Sequence, residues 1–182
     1  MAHIDLGVDE NEFPGVRGPL KYRPVTGKPM LELAETLLRG PLSLPTADRE
    51  LIAAYVSGLN ECTYCCAAHS AFAAALLDEG MPLVEQVRTD LDNAPVSAKL
   101  RTLLHIAGAV QRGGRQVTPE LVETARTEGA TDEEIHDTVL IAAAFCMVNR
   151  YVDGLGTFAP SDPKFYEETA RRVLSVGYRN TV

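Results

Sequence analysis

The chain has no tryptophan, and its six tyrosines and five phenylalanines make up only 6% of its 182 residues. The core is therefore left largely to aliphatic side chains. Basic residues gather no further than the pair Arg171-Arg172, and the net charge is −8. Neither nucleic acid nor an anionic membrane suits such a surface as a partner. The most apolar stretch, Val139 to Val148, is too short to span a bilayer. The opening residues Met1 to Asp5 carry an early acid and no apolar run, so no secretory leader is expected and the cytoplasm is the expected location. Period-2 alternation, exact internal repeats and low-complexity tracts are all missing. There is also no Gly-rich nucleotide fingerprint, so direct use of NADH is not expected and no cofactor is called for. Four cysteines in a cytoplasmic setting do not suggest a structural disulfide framework. A close pair among them points instead to metal binding or redox work.

Hydrophobic residues are 46% and charged residues 23%, the balance of an ordinary soluble globule of one domain or of a domain with extended ends. Residues 1–26 hold several prolines and glycines without periodicity and read as an irregular arm; residues 27–182 form the domain. A helix is expected over 28–39, ended by Gly40-Pro41. Thr46 opens another that reaches Ser57, and Gly58-Leu59-Asn60 interrupts it. Asn60 is the expected cap of the next helix, which runs to Glu79. Pro82 opens a shorter one. Ser97 starts a helix whose apolar stripe is Leu100, Leu103, Ala107 and Val110. Thr118-Pro119 and the capping-box pair Thr131 and Glu134 open two more. A last helix spans Pro163 to Val176. The expected fold is all-α, a single domain of about seven or eight helices.

The densest chemistry lies in Cys62-Thr63-Tyr64-Cys65-Cys66-Ala67-Ala68-His69. At about 100° per residue on a helix, Cys65 lies about 60° from Cys62, and His69 falls between them in angle. Two sulfurs and an imidazole thus share one stripe. With the sulfurs near a helix N-terminus, the partial positive charge there predicts a depressed cysteine pKa. Oxidation of one thiol to a sulfenic acid could be trapped by the other as a disulfide. Two alternatives stand beside this redox reading. One is a zinc site completed by His105, His136 or Cys146, although none of these forms a second ligand cluster. The other is inert packing. Cys146 lies on an apolar stripe, where free cysteine behaves as a small hydrophobe. His105 and His136 read as solvated. Asn149, Arg150 and Asp153 are polar positions at the end of a very apolar helix, suited either to an arginine–carboxylate bridge between subunits or to capping.

The combination Glu50, Cys62-Thr63-Tyr64-Cys65 and His69 resembles the signature of the alkylhydroperoxidase D-like proteins of the carboxymuconolactone decarboxylase superfamily. The stretches Arg49 to Ala53, Asn60 to Cys62 and Asn149 to Gly156 resemble its peroxidase-related branch. The resemblance covers roughly residues 28–176. It implies an all-helical fold that assembles as a homo-oligomer (trimer, dimer or hexamer) and reduces hydroperoxides through thiols. By motif position it makes Cys65 the peroxide-attacking cysteine, Cys62 the resolving one, and His69 with Glu50 the proton relay. It further suggests a protein or lipoyl dithiol as reductant. Some members carry a second histidine inside the CxxC, where this chain has Tyr64. A phenol is a poor base near neutral pH, so slower turnover or a different reductant would follow.

Spacing alone places Glu50 about 120° from Cys62 along an unbroken helix, off the stripe. The break at Gly58 lets the two segments fold back and bring Glu50 toward His69. Read locally, Glu50 is only an acid in the first turn of its helix. Two other functions compete with the peroxidase. A lactone decarboxylase, the superfamily's other named activity, has no need of a dithiol. A redox-sensing or metal-binding helical module would use the cysteines without catalysis.

Overall fold

The computed structural model describes residues 1–180, so the last two positions of the expected 27–182 domain lie outside the described residues. Nine α-helices and no strand are found among these residues. They are α1 (Arg17–Tyr22), α2 (Pro24–Arg39), α3 (Thr46–Leu59), α4 (Thr63–Leu76), α5 (Gly80–Thr89), α6 (Ala98–Arg112), α7 (Pro119–Thr127), α8 (Asp132–Gly154) and α9 (Pro163–Val176). The fold is all-α, as the patterning indicates.

Several helix starts follow directly from local sequence. Ser97 Oγ accepts from Leu100 N at 3.1 Å to open α6. At α8, Thr131 and Glu134 satisfy each other's backbone N–H groups at 3.1 and 2.8 Å, a reciprocal capping box. The second Glu134 oxygen takes Lys99 Nζ at 2.7 Å and so ties α8 to α6. Asp162 caps α9, with Pro163 in the first turn, where its missing N–H costs nothing.

The buried interior is aliphatic, with Leu51, Ile52, Ala53, Ala54 and Val56 of α3 at its centre. Helix α3 lies chiefly against α4, and also against α8 and α6; α4 in turn packs on α5 and α9. The cysteine helix is thereby held on several sides.

Residues 1–16 form no α-helix and lie along the α8–α9 connection. His3 N donates to Leu155 O at 2.7 Å, and Gly15 N to Phe158 O at 2.8 Å. The region read as irregular up to residue 26 nevertheless contains α1 and the first residues of α2, which begins at Pro24 rather than 28. Helix α1 has only six residues, too few for periodicity to register, and its Gly18, Pro19 and Leu20 are buried. Two other boundaries move: α4 ends at Leu76 rather than Glu79, and α5 starts at Gly80 rather than Pro82.

Candidate active site

The α3–α4 turn places the two thiols. Asn60 follows the last residue of α3 in helical conformation, so it ends that helix and does not open the next. Its side chain is used elsewhere: Nδ2 donates to Asn149 Oδ1 at 2.8 Å, and Oδ1 accepts from Gln111 Nε2 at 3.1 Å. The expectation that Asn60 caps α4 is corrected on both counts. Glu61 then takes a positive φ of 58°, and Cys62 itself occupies the N-cap position. Cys62 N donates back to Ser57 O at 3.1 Å. Cys65 follows in the first turn of α4.

All four cysteines are buried and free. Cys65 is 2% exposed. Its thiol is hydrogen-bonded with Cys62, and that bond, burial and the neighbouring sulfur's charge push its pKa well above the ordinary value of 9.0. The Asn149 amide, within reach through a hydrogen bond, pulls in the opposite direction and is outweighed. The lowered cysteine pKa expected from the helix N-terminus is thus not found for Cys65. Desolvation and the paired thiol outweigh the dipole. Cys65 rests as a thiol and needs a base to become a nucleophile.

A histidine–carboxylate pair is assembled nearby across two helices. The chain folds back at the α3–α4 turn, and Glu50 Oε2 lies 2.7 Å from His69 Nδ1. Glu50 is 0% exposed. A carboxylate only accepts, so Nδ1 donates the shared proton; in a neutral imidazole Nε2 then keeps the lone pair. The imidazole is held edge-on by Phe145 and Phe72, with centroids 4.5 and 5.1 Å away. The second Glu50 oxygen accepts from Tyr178 Oη at 2.6 Å. Among the described residues, no hydrogen bond joins His69 directly to Cys65.

Of the candidates named from sequence, Glu50 and His69 are in direct contact, as are Cys62 and Cys65. Two further residues enter that sequence reasoning did not assign to the site. Asn149, fully buried, spans from Ser57 Oγ at 3.1 Å to Asn60 and reaches Cys65. The signal available for it was an amide on the inward face of an apolar helix. Tyr178, beyond the last long helix, has no local signal besides the glycine before it. Arg150 bonds locally: its Nη1 donates to Cys146 O at 3.1 Å. The alternative metal ligands have their own neighbours. His105 pairs with Asp92 at 3.1 Å, His136 with Asp137 at 3.0 Å, and Cys146 Sγ accepts from Asn60 Nδ2 at 3.6 Å. Among the described residues no three His, Cys, Asp or Glu side chains group as metal ligands.

Tyr64 sits in the CxxC with its ring beneath the arm: a β-carbon on Gly15 would lie 2.2 Å from it. Burial holds its phenol protonated far above the ordinary range. Tyr166 of α9 packs on it at 5.9 Å, and desolvation together with both sulfurs pushes the Tyr166 pKa up to about 12. Neither phenol is a base at neutral pH.

Cys62 lines a cavity of about 320 Å³ with Thr63, Cys66 and Arg88. Thr63, Ala67 and Arg88 also border a neighbouring cavity of about 280 Å³, whose far wall includes Met81, Pro160 and Tyr166. Burial raises the Cys66 thiol pKa, an effect the Arg88 charge partly offsets. His69 and Tyr178 face a separate crevice of about 50 Å³ between α4 and α9. No helix among the described residues is long and apolar enough to cross a membrane.

A sequence model of the carboxymuconolactone decarboxylase family matches residues 24–81, the segment that carries Glu50, Cys62, Cys65 and His69. No match was found among curated protein sequences. Two solved structures are similar. One is an uncharacterized peroxidase-related protein from Silicibacter sp. TM1040, with a TM-score of 0.76 at 25% identity, over 85% of this chain and 78% of that one. The other is an alkylhydroperoxidase AhpD core, also an uncharacterized peroxidase-related protein, from Ralstonia eutropha JMP134. It has a TM-score of 0.76 at 25% identity, over 87% of this chain and 81% of that one. By the sequence match over residues 24–81 and by the shared fold, the chain is similar to the carboxymuconolactone decarboxylase family and to the peroxidase-related proteins of alkylhydroperoxidase D-like fold.

Proposed function

We propose that the protein is a thiol peroxidase that reduces alkyl or hydrogen peroxide through a Cys62–Cys65 dithiol/disulfide cycle. The observation that carries this reading is the buried Glu50–His69 contact of 2.7 Å beside a hydrogen-bonded thiol pair. A thiol whose proton is held so firmly is a poor nucleophile on its own, and an adjacent base answers that need.

In the proposed cycle, the Cys65 proton passes to His69 Nε2 through a single bridging water, while Glu50 balances the imidazolium charge. The Cys65 thiolate attacks the terminal peroxide oxygen. The O–O bond breaks, Cys65 becomes a sulfenic acid, and the departing alkoxide takes a proton to leave as alcohol. The Cys62 sulfur then attacks the sulfenic sulfur; its own proton and the hydroxyl leave as water, and the disulfide closes. An external protein or lipoyl dithiol supplies two electrons and two protons to restore both thiols. Cys62, which lines the open cavity, is the sulfur we expect that reductant to attack. Asn149 orients the pair from α8.

A decarboxylase reading leaves the dithiol without a task. Assembly as a homo-oligomer belongs to the same proposal. Leu140 and Met147, seven residues apart on α8 and 39% and 47% exposed, give it an apolar face. The test is peroxide consumption with a small dithiol reductant. Cys65→Ser should abolish turnover, and Cys62→Ser should stop after one equivalent of peroxide. Full turnover in Cys65→Ser would refute the proposal.

A further inference from the structure

Helix α9 ends at Gly177, whose φ is +80°, and a β-carbon there would lie 2.7 Å from Glu35 Oε2. The turn that follows α9 therefore depends on glycine for both conformation and space. It sets the chain down on α2, where two anchors hold it. Tyr178 N donates to Glu35 Oε2 at 2.7 Å, and Arg179 Nε meets both Glu32 oxygens at 2.8 and 2.9 Å. Between these anchors the Tyr178 ring turns inward. Its centroid lies 6.2 Å from that of Phe72 and 6.2 Å from that of His69, stacked on the latter. Its hydroxyl donates to Glu50 Oε1 at 2.6 Å, on the oxygen that His69 does not use.

We infer that Tyr178 is a positioning residue for the Glu50–His69 pair: the C-terminal turn aims the carboxylate at His69 Nδ1 and so keeps Nε2 as the basic nitrogen. This rests on the proton-relay reading proposed above. The terminal carboxylate torsion of a glutamate is broad and soft. With one oxygen unpaired in a dry pocket, the group would turn toward any available donor, at a desolvation cost. A donor on each oxygen removes that freedom.

The phenol itself stays a donor. Burial, the Glu50 charge and the hydrogen bond to Glu50 hold its proton well above the ordinary range. Among the described residues, the charged and titratable groups facing this cluster are Glu35 and Arg39 on α2, Glu50 on α3, Tyr64 and His69 on α4, Arg17 on α1 and Arg172 on α9. None of them replaces the hydroxyl on Glu50 Oε1 in the described contacts.

Tyr178→Phe keeps the ring and removes only the donor. Two readouts separate its effect from general structure. The first is the His69 imidazole titration, followed by NMR in histidine-labelled protein. Freed of its second donor, the carboxylate turns away from Nδ1 and the imidazolium loses its partner, so the titration should move down by about one pH unit. The second is single-turnover disulfide formation with an organic hydroperoxide. It should slow about tenfold at pH 7, because the base is no longer held in place, with its acid limb displaced to lower pH. Arg179→Ala, which loosens the turn from its exposed end, should displace the imidazole titration in the same direction by less. An unchanged titration in folded Tyr178→Phe overturns the inference, as does an upward shift in either variant. If the wild-type thiols ignore peroxide, the peroxidase reading fails. The imidazole titration needs no turnover and still decides the role of Tyr178.

Discussion

The two sides of α4 differ in how their polar groups are partnered. Toward α9 and the C-terminal turn, His69, Glu50 and Tyr178 each hold a partner within 2.7 Å, among aromatic rings and almost without solvent. Toward α5, Thr63, Cys66 and Arg88 border open cavities, and Arg88 makes no ion pair among the described residues. Cys62 and Cys65 join the two environments through their own hydrogen bond. The difference teaches a division of labour. Proton handling benefits from fixed, desolvated groups whose charges are not screened by water. Exchange with an external thiol benefits from a sulfur near open space. Helix α4 contributes to both sides, because residues three and four apart lie on one stripe while their immediate neighbours lie on others.

Breaking the buried side should have the largest effect. Glu50→Gln preserves shape but removes the charge that stabilises the His69 imidazolium. Disulfide formation at pH 7 should fall about 100-fold, measured by stopped-flow after peroxide addition. An unchanged rate would detach Glu50 from the chemistry.

Changing the open side should act more mildly and on a different sulfur. Arg88 partly offsets the burial that raises Cys66. In Arg88→Ala the Cys66 thiol should be harder to ionise, and its alkylation at pH 8, read by mass spectrometry, should slow about threefold, a size typical of an exposed charge. Faster alkylation would mean that Arg88 shields Cys66 rather than activates it.

The smallest expected effect is on stability at alkaline pH. Cys65, Cys66, Tyr166 and Tyr178 all have folded-state pKa values above their ordinary values of 9.0 and 10.0. The unfolded chain releases these protons first as pH rises, so the folded state binds more protons above about pH 9. The resulting stabilisation is complete below that pH and is lost on the way up. A melting temperature flat from pH 7 to 8.5 and falling by several degrees toward pH 10.5 is expected, with a shallower fall in Tyr166→Phe. A midpoint that rises over this range would contradict the sign.

Local rules made much of the fold legible. The caps at Ser97, Thr118 and Thr131 and the proline at 163 open helices where their chemistry says they should. Asn60 misled because an amide ahead of an apolar run has the composition of an N-cap. Its real partners lie on α6 and α8, 51 and 89 residues away. Cys65 misled for a related reason: the helix terminus is a local feature, whereas burial and the Asn149 contact are tertiary ones. The chain turns at Asn60 and Glu61, past the expected break at Gly58, since α3 runs on to Leu59; spacing allowed Glu50 to meet His69 without requiring it. Tyr178 was not legible, since it meets Glu50 across 128 residues from a turn without periodicity. The only trace of it in the sequence is the glycine just before it.

The most direct test of the central claim is a single-turnover experiment. Reduced protein is mixed anaerobically with one equivalent of an organic hydroperoxide, quenched by alkylation and mapped by mass spectrometry. A Cys62–Cys65 disulfide that forms rapidly, is absent in Cys65→Ser, and leaves Cys66 and Cys146 alkylated is the expected result. Four cysteines that all remain reduced, or a disulfide that forms equally well in Cys65→Ser through another pair, would contradict the account.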